Sequence, residues 1–207
     1  MTRQPGYSDA VNHAFAFAAK HHDRQVRKGT KLPYLTHQAN VAVILTRYGC
    51  DEKTVVAGIL HDVVEDCVRD GYTGQMLEQR IGEKFGEDVL ETVLAVTHRR
   101  LDDTGTELSG EDKKLDYLKR LERASESALW VCAADKLHNA HSVLSDLRRT
   151  MDPNSIQVNR RRRRPVRNLL TFRYGWNWHP VVDFLSGRTT NRGIPVVDLS
   201  FLARLLW

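Results

Sequence analysis

Residues 51–66 read Asp51-Glu52-Lys53-Thr54-Val55-Val56-Ala57-Gly58-Ile59-Leu60-His61-Asp62-Val63-Val64-Glu65-Asp66. Asp51 is a good helix N-cap, and Val55, Val56, Ile59, Leu60 and Val63 leave almost no polar stripe, so the spacing predicts a buried central helix. His61, Asp62, Glu65 and Asp66 fall at its end. At about 100° per residue, Glu65 lies one turn past His61 and Asp66 one turn past Asp62. Three carboxylates and an imidazole buried together cost several kcal/mol per ionised group unless a positive charge offsets them. A divalent cation is the simplest solution.

The flanking sequence supplies more helices. Ser8 caps residues 8–22, where Val11, Ala14, Phe15 and Ala18 follow a helical period. A basic loop from Asp23 to Thr36, with turn signals at Arg27-Lys28-Gly29 and Pro33-Tyr34, leads to a second helix over 37–48 with Val41, Ile44 and Leu45 inward. Further helices are predicted over 74–84, 86–97, 111–123 and 125–149, with turn-forming Asp102-Asp103-Thr104-Gly105 between the middle pairs. No stretch alternates with a period of two, so the class is all-α, a compact multi-helix bundle.

The chain has 207 residues, 41% hydrophobic and 28% charged, which suits one globular domain. No apolar run has membrane-spanning length, and the polar start has no secretory core, so a cytoplasmic protein without a membrane partner is expected. Cys50, Cys67 and Cys132 are odd in number and lack CxxC spacing, which argues against a disulfide framework. The net charge of +5 suits a polyanionic partner, and much of the excess lies in the last quarter.

His37, His61, Asp62 and Asp135 form a mixed nitrogen and oxygen ligand set drawn from three predicted helices. Such a set favours Mn²⁺ and leaves Fe²⁺, Co²⁺ and Zn²⁺ open. A divalent ion acidifies water, and a carboxylate one helical turn away can orient that water and accept its proton, a role open to Glu65 and Asp66. His138 is read as a hydrogen-bonding core residue, and His21 and His22 as solvent-facing residues at a helix end.

The segments Arg27-Lys28-Gly29, Pro33-Tyr34-Leu35-Thr36-His37, Ala57-Gly58-Ile59-Leu60-His61-Asp62-Val63-Val64-Glu65-Asp66, Phe85-Gly86, Val96-Thr97 and Ala133-Ala134-Asp135-Lys136-Leu137-His138-Asn139 occur in order. Together they resemble the HD-domain hydrolases of the RelA/SpoT type, in particular the single-domain small alarmone hydrolases. The resemblance covers residues 8–150. It implies a Mn²⁺-dependent 3′-pyrophosphohydrolase of the stringent response, converting (p)ppGpp to GDP or GTP and pyrophosphate. It puts metal ligands on His37, His61, Asp62 and Asp135, the catalytic acidic pair on Glu65 and Asp66, and substrate contacts on Arg27, Lys28, Tyr34 and Asn139.

Three departures fall near the expected polyphosphate: a loop before His37 one residue longer than in many relatives, Cys132 and His98, the last two where lysine is common. They spare the ligands and the acidic pair and bear on which nucleotide is taken, so (p)ppApp and the 2′-phosphate of NADPH stand as alternatives. The domain is assigned to 1–150. The extension 151–207 carries an arginine run at 160–164, four downstream aromatics and a short apolar end helix, and is expected to pack on the core or across a homo-oligomer. The reading from another class is an RNA- or ribosome-binding module that uses the arginine run, with the HD site vestigial.

Overall fold

The computed structural model describes residues 7–27, 30–68, 71–102 and 104–150. Lys28, the arginine run and the rest of 151–207, with its expected end helix, lie outside the described residues. The fold is all-α: α1 (Asp9–His21), α2 (Leu35–Arg47), α3 (Glu52–Leu60), α4 (Val63–Asp66), α5 (Gly74–Phe85), α6 (Glu87–Val96), α7 (Gly110–Leu121) and α8 (Glu126–Thr150). Among the described residues, backbone pairing of the β type is limited to isolated bridges, Val26 with Pro33 and Leu101 with Glu107. Among the described residues two units are distinguished, one of residues 7–27 and 32–135 and the other of 30–31 and 136–150. The first holds α1 to α7 and the start of α8.

Caps fix where the helices begin. Ser8, Asp51, Thr73 and Ser109 each accept the backbone N–H three residues on, satisfying a donor that the first helical turn leaves open. Gly86 separates α5 from α6 with φ of 93°, a conformation that side chains rarely adopt.

As expected, α3 is central. Every residue from Thr54 to Leu60 is buried, and the helix packs on α1, α2 and α6. Each fully buried Val, Ile or Leu there contributes about 1.5–3 kcal/mol of hydrophobic stabilisation. The approach of α2 is set by Gly58, where an added Cβ would collide with Leu45 Cδ1 and press on Val41 Cγ1. Thr54 Oγ1 donates to Ser127 Oγ at 2.8 Å and ties α3 to the start of α8.

Three expectations are corrected. First, the helix of residues 51–66 is interrupted: α3 ends at Leu60, His61 and Asp62 form a turn, and α4 restarts at Val63. The His61 ring donates from Nδ1 to the Gly58 carbonyl at 2.8 Å and so competes with the helical backbone for that acceptor. Second, α1 buries Phe17 rather than Phe15. Third, His21 and His22 are buried at 3% and 4% exposure, not solvent-facing. Phe17 and Tyr72 enclose the His21 ring, and Tyr34 stacks on His22 at 5.0 Å.

Candidate metal centre

Four side chains converge where α2, the α3–α4 turn and α8 meet in the first unit. His37 lies in the first turn of α2, His61 and Asp62 form the turn, and Asp135 lies on α8. The Nε2 atoms of His37 and His61 face each other at 3.3 Å. His37 Nε2 is 3.1 Å from Asp135 Oδ1 and 3.5 Å from Asp62 Oδ2, while His61 Nε2 is 3.1 Å from Asp62 Oδ2 and 3.9 Å from Asp135 Oδ1. His37, His61 and Asp135 offer ligand atoms that all lie within 4.8 Å of one another, a group that could hold a metal ion.

The chemistry of the donors fits a cation. Because a carbonyl only accepts, the bond from His61 to Gly58 puts the ring proton on Nδ1 and leaves the Nε2 lone pair aimed at the cluster, the arrangement seen for metal-ligating histidines. Burial opposes charge on His61, but the Asp62 carboxylate, Asp135 and the Gly58 carbonyl outweigh it and raise its pKa to about 9. Burial likewise pushes the Asp62 carboxyl up, yet His61 and His37 prevail and hold it well below the usual carboxylate range. A divalent ion held by these residues would take over the role of the His61 proton in offsetting the carboxylates.

Tyr34 supports this cluster. Its hydroxyl donates to Asp62 Oδ2 at 2.8 Å, and the Arg27 guanidinium lies over its ring, 5.5 Å from the centroid. Burial, with the Asp62 and Asp66 carboxylates adding to it, keeps the phenol far above its usual pKa, so it remains a donor. Arg27 and Tyr34 are brought together because the intervening loop is closed at its base: Arg27 N–H donates to Leu32 O at 2.8 Å and Tyr34 N–H to Gln25 O at 2.9 Å.

The acidic pair divides between two supports. Glu65, half-buried, accepts the backbone N–H of His98 at 2.9 Å on Oε2. Asp66, exposed, accepts from Gln25 Nε2 at 2.8 Å, and the Oε1 of the same amide faces His22 Nδ1 at 2.5 Å. The expectation of three carboxylates buried together is therefore corrected, because the turn at His61–Asp62 lets α4 carry Asp66 out to solvent. Of the other expected contacts, Asn139 lies half-buried on α8 in the second unit, and Lys28 is outside the described residues.

Four supporting roles were not expected from the sequence: Gly58 as the acceptor for His61, His22 and Gln25 behind Asp66, and the peptide amide of His98 on Glu65. A backbone group carries no side-chain signature. Gln25 meets Asp66 across 41 positions of sequence, a separation that leaves no local signal.

An HD-domain family model matches residues 14–158. The chain is 31% identical over 138 residues to a GTP pyrophosphokinase of Myxococcus xanthus, covering 65% of this chain and 17% of that protein. It is 37% identical over 97 residues to a guanosine-3′,5′-bis(diphosphate) 3′-pyrophosphohydrolase of Aquifex aeolicus, covering 47% and 13%. It also matches the structure of a metazoan ortholog of SpoT described as hydrolysing ppGpp with a role in starvation responses: TM-score 0.56, 30% identity, 68% of this chain and 74% of that one. The chain belongs to the HD-domain family. Within that family its likeness is to the RelA/SpoT type, and it spans between 13% and 17% of the length of the first curated relatives it matches.

Proposed function

We propose that this chain is a Mn²⁺-dependent phosphohydrolase that removes the 3′-diphosphate of (p)ppGpp, giving GDP or GTP and pyrophosphate. The observation that carries this reading is the convergence of two imidazole nitrogens and two carboxylates beside a separately supported Glu65–Asp66 pair. The names of the Aquifex and metazoan relatives point to the same substrate class.

His37, His61, Asp62 and Asp135 would hold the ion. When bound, a divalent cation supplies charge that acidifies water and offsets phosphate oxygens. Glu65, oriented by the His98 amide, accepts the proton of the attacking water. Oxygen adds to the phosphorus attached to the ribose 3′ oxygen, the bond between them breaks, the 3′ hydroxyl leaves with a proton, and pyrophosphate carries the new oxygen. Asp66 orients the water from the solvent side. Arg27 and Lys28 provide cationic contacts for phosphate and base, and Tyr34 and Asn139 contact the nucleoside.

The test is turnover of ppGpp, ppApp and NADPH by purified protein with Mn²⁺, with products resolved. Pyrophosphate release from ppGpp, abolished by EDTA and by Asp62→Ala, supports the reading. Preference for ppApp or NADPH moves the substrate and leaves the chemistry in place. No turnover of any of the three overturns the proposal.

A further inference from the structure

The amide that supports Glu65 belongs to the peptide joining Thr97 to His98, and that peptide is held at both ends. Its N–H donates to Glu65 Oε2 at 2.9 Å, while its carbonyl, the Thr97 oxygen, accepts from Arg120 Nη2 at 2.8 Å. Arg120 lies in the last turn of α7 with 16% of its side chain exposed. Its Nη1 donates to the carbonyls of Leu94 and Ala95 at 3.1 and 3.2 Å, and its Nε to Asp116 Oδ2 at 2.9 Å. Its guanidinium also lies over the Tyr117 ring, which His98 stacks on at 4.3 Å.

The end of α6 leaves carbonyls that the helix itself cannot satisfy. One guanidinium takes two of them, Leu94 and Ala95, together with the Thr97 carbonyl just past the helix, using a planar fork that a lysine ammonium does not possess. Thr97 turns extended, with φ of −81° and ψ of 132°, so the chain leaves the helix just where the next N–H is needed by Glu65. A cation on the carbonyl oxygen polarises the amide and strengthens its N–H as a donor.

We infer that Arg120 is a positioning residue for Glu65, acting through the Thr97–His98 peptide. Arg120 touches neither the acidic pair nor the metal cluster in any contact described above. It fixes the plane of the amide that donates to the Glu65 carboxylate and, through the Asp116 contact, is itself held in place. The catalytic consequence rests on the reading of Glu65 as proton acceptor, whereas the structural link can be examined without it.

The experiment pairs amide NMR with kinetics on the full chain. Arg120→Met and Glu65→Ala should each shift the His98 amide proton upfield, because each removes one end of the same chain of bonds. With Mn²⁺ and ppGpp, Arg120→Met should lower kcat about 10- to 100-fold while KM stays within about twofold. Mn²⁺ affinity should not change. Arg120→Lys should recover part of the loss, and Lys119→Met, an exposed neighbour, should match wild type. An unmoved His98 amide in Glu65→Ala overturns the link even where Arg120→Met does not fold. A folded Arg120→Met with wild-type kcat, or one that loses only KM, overturns the positioning role. Absence of wild-type turnover on every substrate counts against the hydrolase reading instead, and the amide shifts then still judge the contact.

Discussion

The hydroxyl of Tyr34 reaches Asp62 Oδ2 at 2.8 Å, so a residue from the loop before α2 fixes the orientation of a carboxylate in the α3–α4 turn. Groups that orient a metal ligand commonly account for 10- to 100-fold in affinity. Tyr34→Phe keeps the ring on His22 and removes only the donor, so Mn²⁺ affinity should fall about tenfold with little loss of Tm. Calorimetric titration of EDTA-stripped protein checks this, and an unchanged Kd would show that Asp62 is oriented without it.

His61 makes stability depend on pH when the protein is stripped with EDTA. Its folded pKa of about 9 stands above the ordinary 6.5, so its contribution is fully present below pH 6.5 and is lost as pH rises through 9. The Tm of stripped protein should therefore decline from pH 6.5 to 9. Mn²⁺ should flatten that decline and bind more tightly as pH rises, because it displaces the His61 proton. His22 has the opposite sign: burial lowers its pKa, so its contribution is lost on acidification below pH 6.5, outside this window. A thermal-melt series with and without Mn²⁺ gives the result directly. A Tm that rises over the same range in stripped protein would contradict it.

Gln25 binds both His22 and Asp66, and the direction of each bond follows from its chemistry. The Nε2 amide donates to the Asp66 carboxylate, so Oε1 must accept, which puts the His22 proton on Nδ1. Gln25→Glu places a second carboxylate against Asp66. Activity should fall about tenfold, because a carboxylate then faces Asp66 where an amide had donated to it. The kcat of the variant against wild type measures this, and equal values would exclude a role for the amide.

Close packing at Gly58 should make Gly58→Ala destabilising by about 1–3 kcal/mol, since Leu45 is fully buried and has little room to retreat. Urea denaturation measures this. A variant of wild-type stability would mean that α2 can shift outward at no cost.

Much of this fold could be read from short-range chemistry. Ser8 and Asp51 announced their helices, and the apolar surround of α3 announced its central place, because caps and helical periods are local. The convergence of His37, His61, Asp62 and Asp135 was expected from their motif setting. What escaped depended on distant partners. The pattern from Val55 to Val63 runs through His61 without a break, and the interruption comes from a ring bonding back to Gly58. His22 ends a helix as a solvent residue would, but Tyr34 folds over it. Nothing in the neighbours of Arg120 reveals the carbonyls of Leu94, Ala95 and Thr97 that it binds.

The interruption between α3 and α4 separates two functions that a continuous helix would have locked together. In an unbroken helix, any change in pitch that moved Glu65 and Asp66 would move His61 and Asp62 by the same rotation. Here α4 is its own short segment, tethered to the His98 amide and Gln25 rather than to the register of α3. Substitutions in those tethers can therefore turn Glu65 and Asp66 without turning His37, His61, Asp62 and Asp135, so the two halves of the site can be altered one at a time.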